Sequence, residues 1–223
     1  MKELETKSLY KTSNTSVAFE FIQSFKYPWQ IIPLIESCIL DIGKTLSKDY
    51  YRIGESIWIS KSAKIEKSAS IDGPCIICEN AEIRHSAYIR KNVIVGRNCV
   101  VGNSTELKNC ILFDNVQAPH YNYVGDSILG YKSHLGAGAI ISNLKGDKSE
   151  ISIKYDEKTI NTGLKKLGAM VGDFVEIGCG SVLNPGAIIG VNTNIYPLSS
   201  VRGCLSSNLI YKAHNCIIKK EYQ

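Results

Sequence analysis

Two cations lie eighteen residues apart, Arg90 and Lys108, and a histidine, His120, follows them with Tyr123 three places further on. Arginine and lysine both bind phosphate well, so a stacked pair of them would make an anion clamp. An imidazole titrates close to neutral pH and suits general-base work. The run Leu135-Gly136-Ala137-Gly138 leaves backbone uncovered, and an exposed N–H there could hold a developing oxyanion. Each feature has a plainer reading: a solvated charged wall, a loop histidine, a corner turned by small residues. His85 and His134 are weaker candidates, because no carboxylate stands at ligand spacing to partner them in a metal site.

The stacking follows from the element that carries these residues. An apolar side chain returns every six positions at Ile59, Ile65, Ile71, Ile77, Ile83, Ile89, Val95, Val101 and Leu107. Four places after each sits a mostly small residue, as at Ala63, Ala69, Cys75, Ala81 and Ala87, and on to Thr105 and Ile111. A period of six fits neither a helix nor a long strand, but it fits short strands joined by corners in a β-solenoid. Three hexads then make one coil, and positions eighteen apart stack. Arg90 and Lys108 each follow an inward residue, so both point outward on one face.

The hexads are expected to run to Phe113, lose phase across Gln117-Ala118-Pro119-His120, and resume at Leu129, Leu135 and Ile141, two places short. That break reads as a bulge carrying His120 off the wall. Residues 143–168 lack hexads and read as an insertion loop rich in lysine. The period returns at Val171, Ile177, Leu183, Ile189, Ile195 and Val201. Upstream, Ile31, Ile35, Ile39 and Ile42 recur at helical spacing, with the first turn near Pro33 and Gly43 as the stop. An open solenoid end needs covering, so this helix is expected as a cap. The division is then 1–54 for the extension and capping helix, 55–208 for the β-helix and 209–223 for a tail.

Composition narrows the class. The chain has 223 residues and a net charge of +5 with acids and bases mixed, too mild for nucleic acid but suited to an anionic small ligand. No apolar run approaches a membrane span, and the polar start lacks a signal core, so a cytoplasmic protein is expected. Of eight cysteines, Cys75 and Cys99 fall on inward positions and act as small hydrophobes. Cys78 follows an inward position and should point away from Cys75, and no second CxxC follows, so no metal is expected.

The hexads resemble the left-handed β-helix of hexapeptide-repeat acyltransferases. The series Gly102-Asn-Ser-Thr-Glu-Leu-Lys108-Asn109, Pro119-His120-Tyr-Asn-Tyr123-Val-Gly-Asp126, Gly136-Ala137-Gly138 and Asn143 is similar to the acetyltransferase domain of the bifunctional bacterial enzyme that makes UDP-N-acetylglucosamine. Asn161 to Asp173 and the entry Tyr27-Pro28-Trp29 look more like the β-helical C-terminal domains of sugar-1-phosphate nucleotidyltransferases. The resemblance implies an N-acetyltransferase moving acetyl from acetyl-CoA to an amino-sugar 1-phosphate. It implies His120 as catalytic base, Arg90 and Lys108 on the sugar phosphate, and Tyr123 and Asn143 on the substrate. Ala137 would contact the acetyl group through its backbone. Lys148 would reach the site from an adjacent subunit, and Lys212 would lie near the CoA phosphates. It also implies a homotrimer with sites between subunits. His134 and Leu144 depart from one branch of the family, which leaves the sugar open. Residues 1–57 are too short for a nucleotidyltransferase module, so a non-catalytic sugar-nucleotide-binding or scaffold protein is the alternative. Zinc chemistry of the carbonic-anhydrase kind on this fold is a weaker third.

Overall fold

The computed structural model describes residues 2–12, 16–213 and 216–221. Residues 1, 13–15, 214–215 and 222–223, parts of the expected extension and tail, lie outside it. The hexads form a β-solenoid of three walls. Eight rungs stack in parallel on the first wall, from Ile57–Ser60 through Cys75–Ile77 and Val93–Val95 to Cys204–Leu205. The second wall runs from Lys64–Ile65 through Val100–Asn103, Gln117–His120 and His134–Leu135 to Leu209–Ala213. The third contains Ser70–Ile71, Tyr88–Ile89, Ile140–Ile141, Val182–Leu183 and Ser200–Val201. The strands Glu106–Leu112 and Tyr123–Leu129 bend across the corner from the third wall into the first. The inward column Ile77, Ile83, Ile89, Val95, Val101, Leu107 is fully buried, and each such side chain contributes roughly 1.5–3 kcal/mol of burial.

The phase of the repeat shifts elsewhere than expected. Gln117–His120 is an ordinary second-wall rung, in register with Val100–Asn103, and not a bulge. The coil shortens from eighteen residues (Ile77 to Val95) to seventeen (Val95 to Leu112, then Leu112 to Leu129). One residue is lost at each of two third-to-first corners, where Asn109 and Asp126 take left-handed backbone at φ 48° and 49°. Both residue types tolerate that conformation. The two losses account for the two-place offset. They also turn Ile111 and Phe113 outward, where they pack under the N-terminal region instead of in the core.

That region covers a side, not an end. A 3₁₀ segment, Pro28–Leu34, leads into the helix Ile35–Thr45. Ile31, Ile35, Cys38 and Ile39 are buried against the outward residues of the first wall, among them Trp58, Ile76, Ile94 and Ile111. Gly43 is not the stop. It lies inside the helix, where a Cβ would come within 2.3 Å of the Trp58 ring. Leu4, Leu9 and Tyr10 continue the cover, and the buried Asp173 carboxylate accepts the Lys11 and Thr12 N–H groups at 2.9 and 2.8 Å. The insertion is an antiparallel hairpin, Ile151–Tyr155 with Lys158–Leu164, whose Ile151 and Ile153 join the same cover beside Met170 and Ile188. The solenoid end at the first coil keeps a cavity of about 650 Å³ among Ile53, Ile57, Ile59, Ala63, Ile65 and Ile71. At the other end, Leu209–Ala213 is a further rung, closed by the antiparallel strand Cys216–Lys219. The β-helix therefore runs past residue 208.

Candidate functional site

With the first wall covered, the candidate residues other than Lys148, which lies in the insertion, fall on the other two. Arg90 and Lys108 follow the paired inward residues Ile89 and Leu107 on adjacent third-wall rungs, one strand spacing of about 4.8 Å apart. Each cation has a carboxylate. Arg90 Nη1 is 2.7 Å from Glu106 Oε1, and Lys108 Nζ is 3.9 Å from Asp126 Oδ2. The hydrogen bond it donates to Glu106 holds the pKa of the Arg90 guanidinium above its ordinary value. Glu106 sits in register between Tyr88 and Tyr123.

Tyr123 and Asn143 meet on the same wall. The Asn143 amide donates to the Tyr123 hydroxyl at 3.3 Å and also to Asp126 Oδ2. Burial pushes the Tyr123 phenol up, and the charges of Glu106 and Asp126 add to that. The phenol therefore stays protonated through the neutral range. Gly125 makes the arrangement possible: a Cβ there would stand 2.6 Å from Tyr123 Oη and 2.7 Å from Asn143 Nδ2.

His120 is exposed at the corner between the second and third walls. Asn122, the buried corner residue, accepts the His120 N–H at 3.1 Å through its side-chain oxygen and donates to Gly136 O and Ala139 O at 2.9 and 3.1 Å. His120 and Tyr123 thus flank one pinned corner. Gly138 N–H donates to His120 O at 3.0 Å, which sets Ala137 on the next rung directly beside His120. Gly180 N–H donates to Ala137 O at 2.8 Å, and among the described residues no backbone carbonyl takes the Ala137 N–H.

The other candidates lie apart. Lys148 stands on an exposed turn that Lys145 closes by donating to Ser149 Oγ and Glu150 O. Lys212 projects from the last second-wall rung over the Tyr196 ring, 5.8 Å from its centre. His134 lies on the second wall with Nδ1 2.9 Å from Glu176, and His85 Nδ1 is 2.6 Å from Ser68 Oγ. Among the described residues no group of three His, Cys, Asp or Glu side chains could hold a metal ion, and no helix is long and apolar enough to cross a membrane.

Sequence reasoning missed Glu106 and Asp126, the carboxylates that already hold the two cations. Glu106 precedes the inward Leu107 by one residue, and that outward position was its available signal.

A family profile described as the GMPPB C-terminal domain matches residues 71–164. A bifunctional sugar-1-phosphate nucleotidylyltransferase/acetyltransferase from Sulfurisphaera tokodaii is 37% identical over 94 residues, 42% of this chain and 23% of that protein. The bifunctional protein GlmU of Methanococcus maripaludis is 34% identical over 120 residues, 53% of this chain and 29% of that protein. The chain therefore spans about a quarter of the length of these curated relatives. The acetyltransferase domain of PglB from Neisseria gonorrhoeae, solved with acetyl coenzyme A, aligns at 12% identity and a TM-score of 0.28 over 86% of this chain and 67% of that one.

Proposed function

We propose that this chain, a hexapeptide-repeat β-helix like the acetyltransferase domain of GlmU and the C-terminal domains of sugar-1-phosphate nucleotidylyltransferases, is an acetyl-CoA-dependent N-acetyltransferase whose acceptor is an amino-sugar 1-phosphate. The observation that carries this reading is the placement of Arg90 and Lys108 on adjacent rungs of the wall that also bears Tyr123 and Asn143, one corner away from His120 and Ala137.

The phosphate would rest against Arg90 and Lys108, displacing the partly exposed Glu106 from Arg90 while the buried Asp126 keeps Lys108 in place. Tyr123 and Asn143 would hold the sugar. The amine would lie at the corner, where the His120 imidazole takes a proton as nitrogen attacks the thioester carbonyl. The carbonyl oxygen, gaining charge, would accept from the Ala137 N–H. The C–S bond then breaks and coenzyme A leaves as the thiol, taking up a proton. Holding both substrates against one corner supplies several kcal/mol of the barrier reduction, and one oxyanion donor about 3.

The donor would run down the second wall from Ala137. Pro119, Gly136 and Gly178 follow inward residues there and leave the wall low, and Tyr196 and Lys212 stand at its far end. Lys212 would meet the CoA phosphates.

The site is open on one chain. The first wall is taken up by the chain's own cover, so copies would meet on the second and third walls. Tyr121 (63% exposed) and Leu198 (85% exposed) line the corner between them. A homotrimer closing around that corner would give each site a neighbour, which could bring Lys148 to it. The test is thiol release from acetyl-CoA with glucosamine 1-phosphate and galactosamine 1-phosphate, alongside light scattering for the assembly. A monomer with full activity would overturn the shared site.

The paired state of both cations favours a second reading, a trimeric scaffold or sugar-nucleotide binder without turnover. Calorimetry separates the two, since a scaffold would bind no acetyl-CoA.

A further inference from the structure

The two shortened corners lie on adjacent rungs, and their left-handed residues touch. Asn109 Nδ2 donates to Asp126 Oδ1 at 2.7 Å and to Ile32 O at 3.3 Å. An amide nitrogen has two hydrogens, and both are used. Ile32 belongs to the N-terminal segment Pro28–Leu34. The Asp126 side chain is 6% exposed, and its second carboxylate oxygen receives Asn143 Nδ2 and faces Lys108 Nζ at 3.9 Å. Its backbone carbonyl takes the N–H of Gly168, where the insertion hairpin returns to the solenoid. Lys108, Asn109 and Asn143 therefore meet at the Asp126 carboxylate, the hairpin's return reaches its backbone carbonyl, and Ile32 is tied to it through Asn109.

We propose that Asn109 and Asp126 are positioning residues through which the segment Pro28–Leu34 fixes the acceptor side of the site. The kinetic part of this proposal rests on the N-acetyltransferase reading above. Asp126 sets the position of the Lys108 ammonium and of the Asn143 amide, and through that amide the Tyr123 hydroxyl. Asn109 holds Asp126 by one oxygen, which leaves the other for Lys108 and Asn143. The backbone does not require this arrangement. The same corner one coil earlier is turned by Asn92, also left-handed at φ 65°, with its side-chain oxygen buried and unpartnered. The carboxylate occurs where Lys108, Tyr123 and Asn143 need an anchor.

Asn109→Gly in the full chain deletes the amide at a position whose backbone glycine adopts without strain. Asp126→Asn keeps the volume and removes the charge. Asn92→Gly is the control. Both site variants should raise KM for the amino-sugar phosphate about tenfold, the loss of one good polar interaction, with KM for acetyl-CoA within about threefold. The control should change neither. Amide exchange in Asn109→Gly should quicken together in residues 28–34 and 123–127, and Asn92→Gly should not reproduce it. Unchanged sugar-phosphate KM in both site variants, or a control that behaves like them, overturns the proposal. Should the wild-type chain turn over no amino-sugar phosphate, the acetyltransferase reading fails and exchange alone decides. Joint quickening then supports the relay, and quickening in only one segment or neither overturns it.

Discussion

Arg90 Nη1 sits 2.7 Å from Glu106 Oε1, so the arginine best placed to meet a phosphate already carries an anion. Both side chains are partly exposed, at 41% and 33%, and a pair open to solvent exchanges readily. Glu106→Gln frees the guanidinium. It should tighten inorganic phosphate or sugar-phosphate binding about threefold or more at low salt, with the gain fading as salt screens the site. Titration calorimetry at two ionic strengths checks this. Weaker binding in Glu106→Gln would mean that the carboxylate organises the clamp instead of competing for it.

Gly125→Ala asks whether Tyr123 and Asn143 act from their observed positions. The new methyl would meet Tyr123 Oη and Asn143 Nδ2 at 2.6 and 2.7 Å and push the phenol off the wall. The expected result is a rise of about tenfold in KM for the acceptor, with little change in melting temperature because the displaced group has solvent beside it. A variant with wild-type kinetics would remove Tyr123 from the site.

Much of this fold was legible before any coordinates. The inward hexads from Ile77 to Leu107 and from Val171 to Val201 lie in the core as a six-residue period demands. The shortened corners were not legible as such. A missing residue registers in a periodic pattern only where the next apolar positions fall, so the offset was assigned to Gln117–His120 although Asn109 and Asp126 cause it. The helix face was visible in the spacing of Ile31, Ile35 and Ile39, but spacing does not say what a face packs on. The outward apolar residues Trp58, Ile76 and Ile94 carried that information, and they sit one place before inward residues. For the candidate site, Arg90 and Lys108 could be stacked by counting. Their pairing with Glu106 and Asp126 depends on side-chain reach, which counting does not contain.

The cysteines sort by burial. Burial pushes the thiols of Cys38, Cys75 and Cys78 up to about 12 and that of Cys204 to about 11, whereas Cys179 and Cys216 are exposed. Iodoacetamide at pH 8 should label Cys179 and Cys216 in the folded chain and leave the buried thiols for the unfolded one, as mass spectrometry would show. A linked effect follows for stability. Thiols of the unfolded chain ionise near about 8.5, while the buried ones keep their protons. Their contribution is therefore full below that pH and declines as pH rises toward the folded values. The melting temperature should fall between pH 8 and pH 10.5. Labelling of Cys75 or Cys78 at pH 8 without unfolding would contradict this placement.

The acetyltransferase reading is tested most directly by thiol release from acetyl-CoA in the presence of glucosamine 1-phosphate or galactosamine 1-phosphate, comparing the wild-type chain with His120→Asn. A general base contributes about a hundredfold or more, so turnover in the wild type and a loss of at least that size in the variant are predicted. No thiol release with any amino-sugar phosphate, or a variant that keeps the full rate, would contradict it.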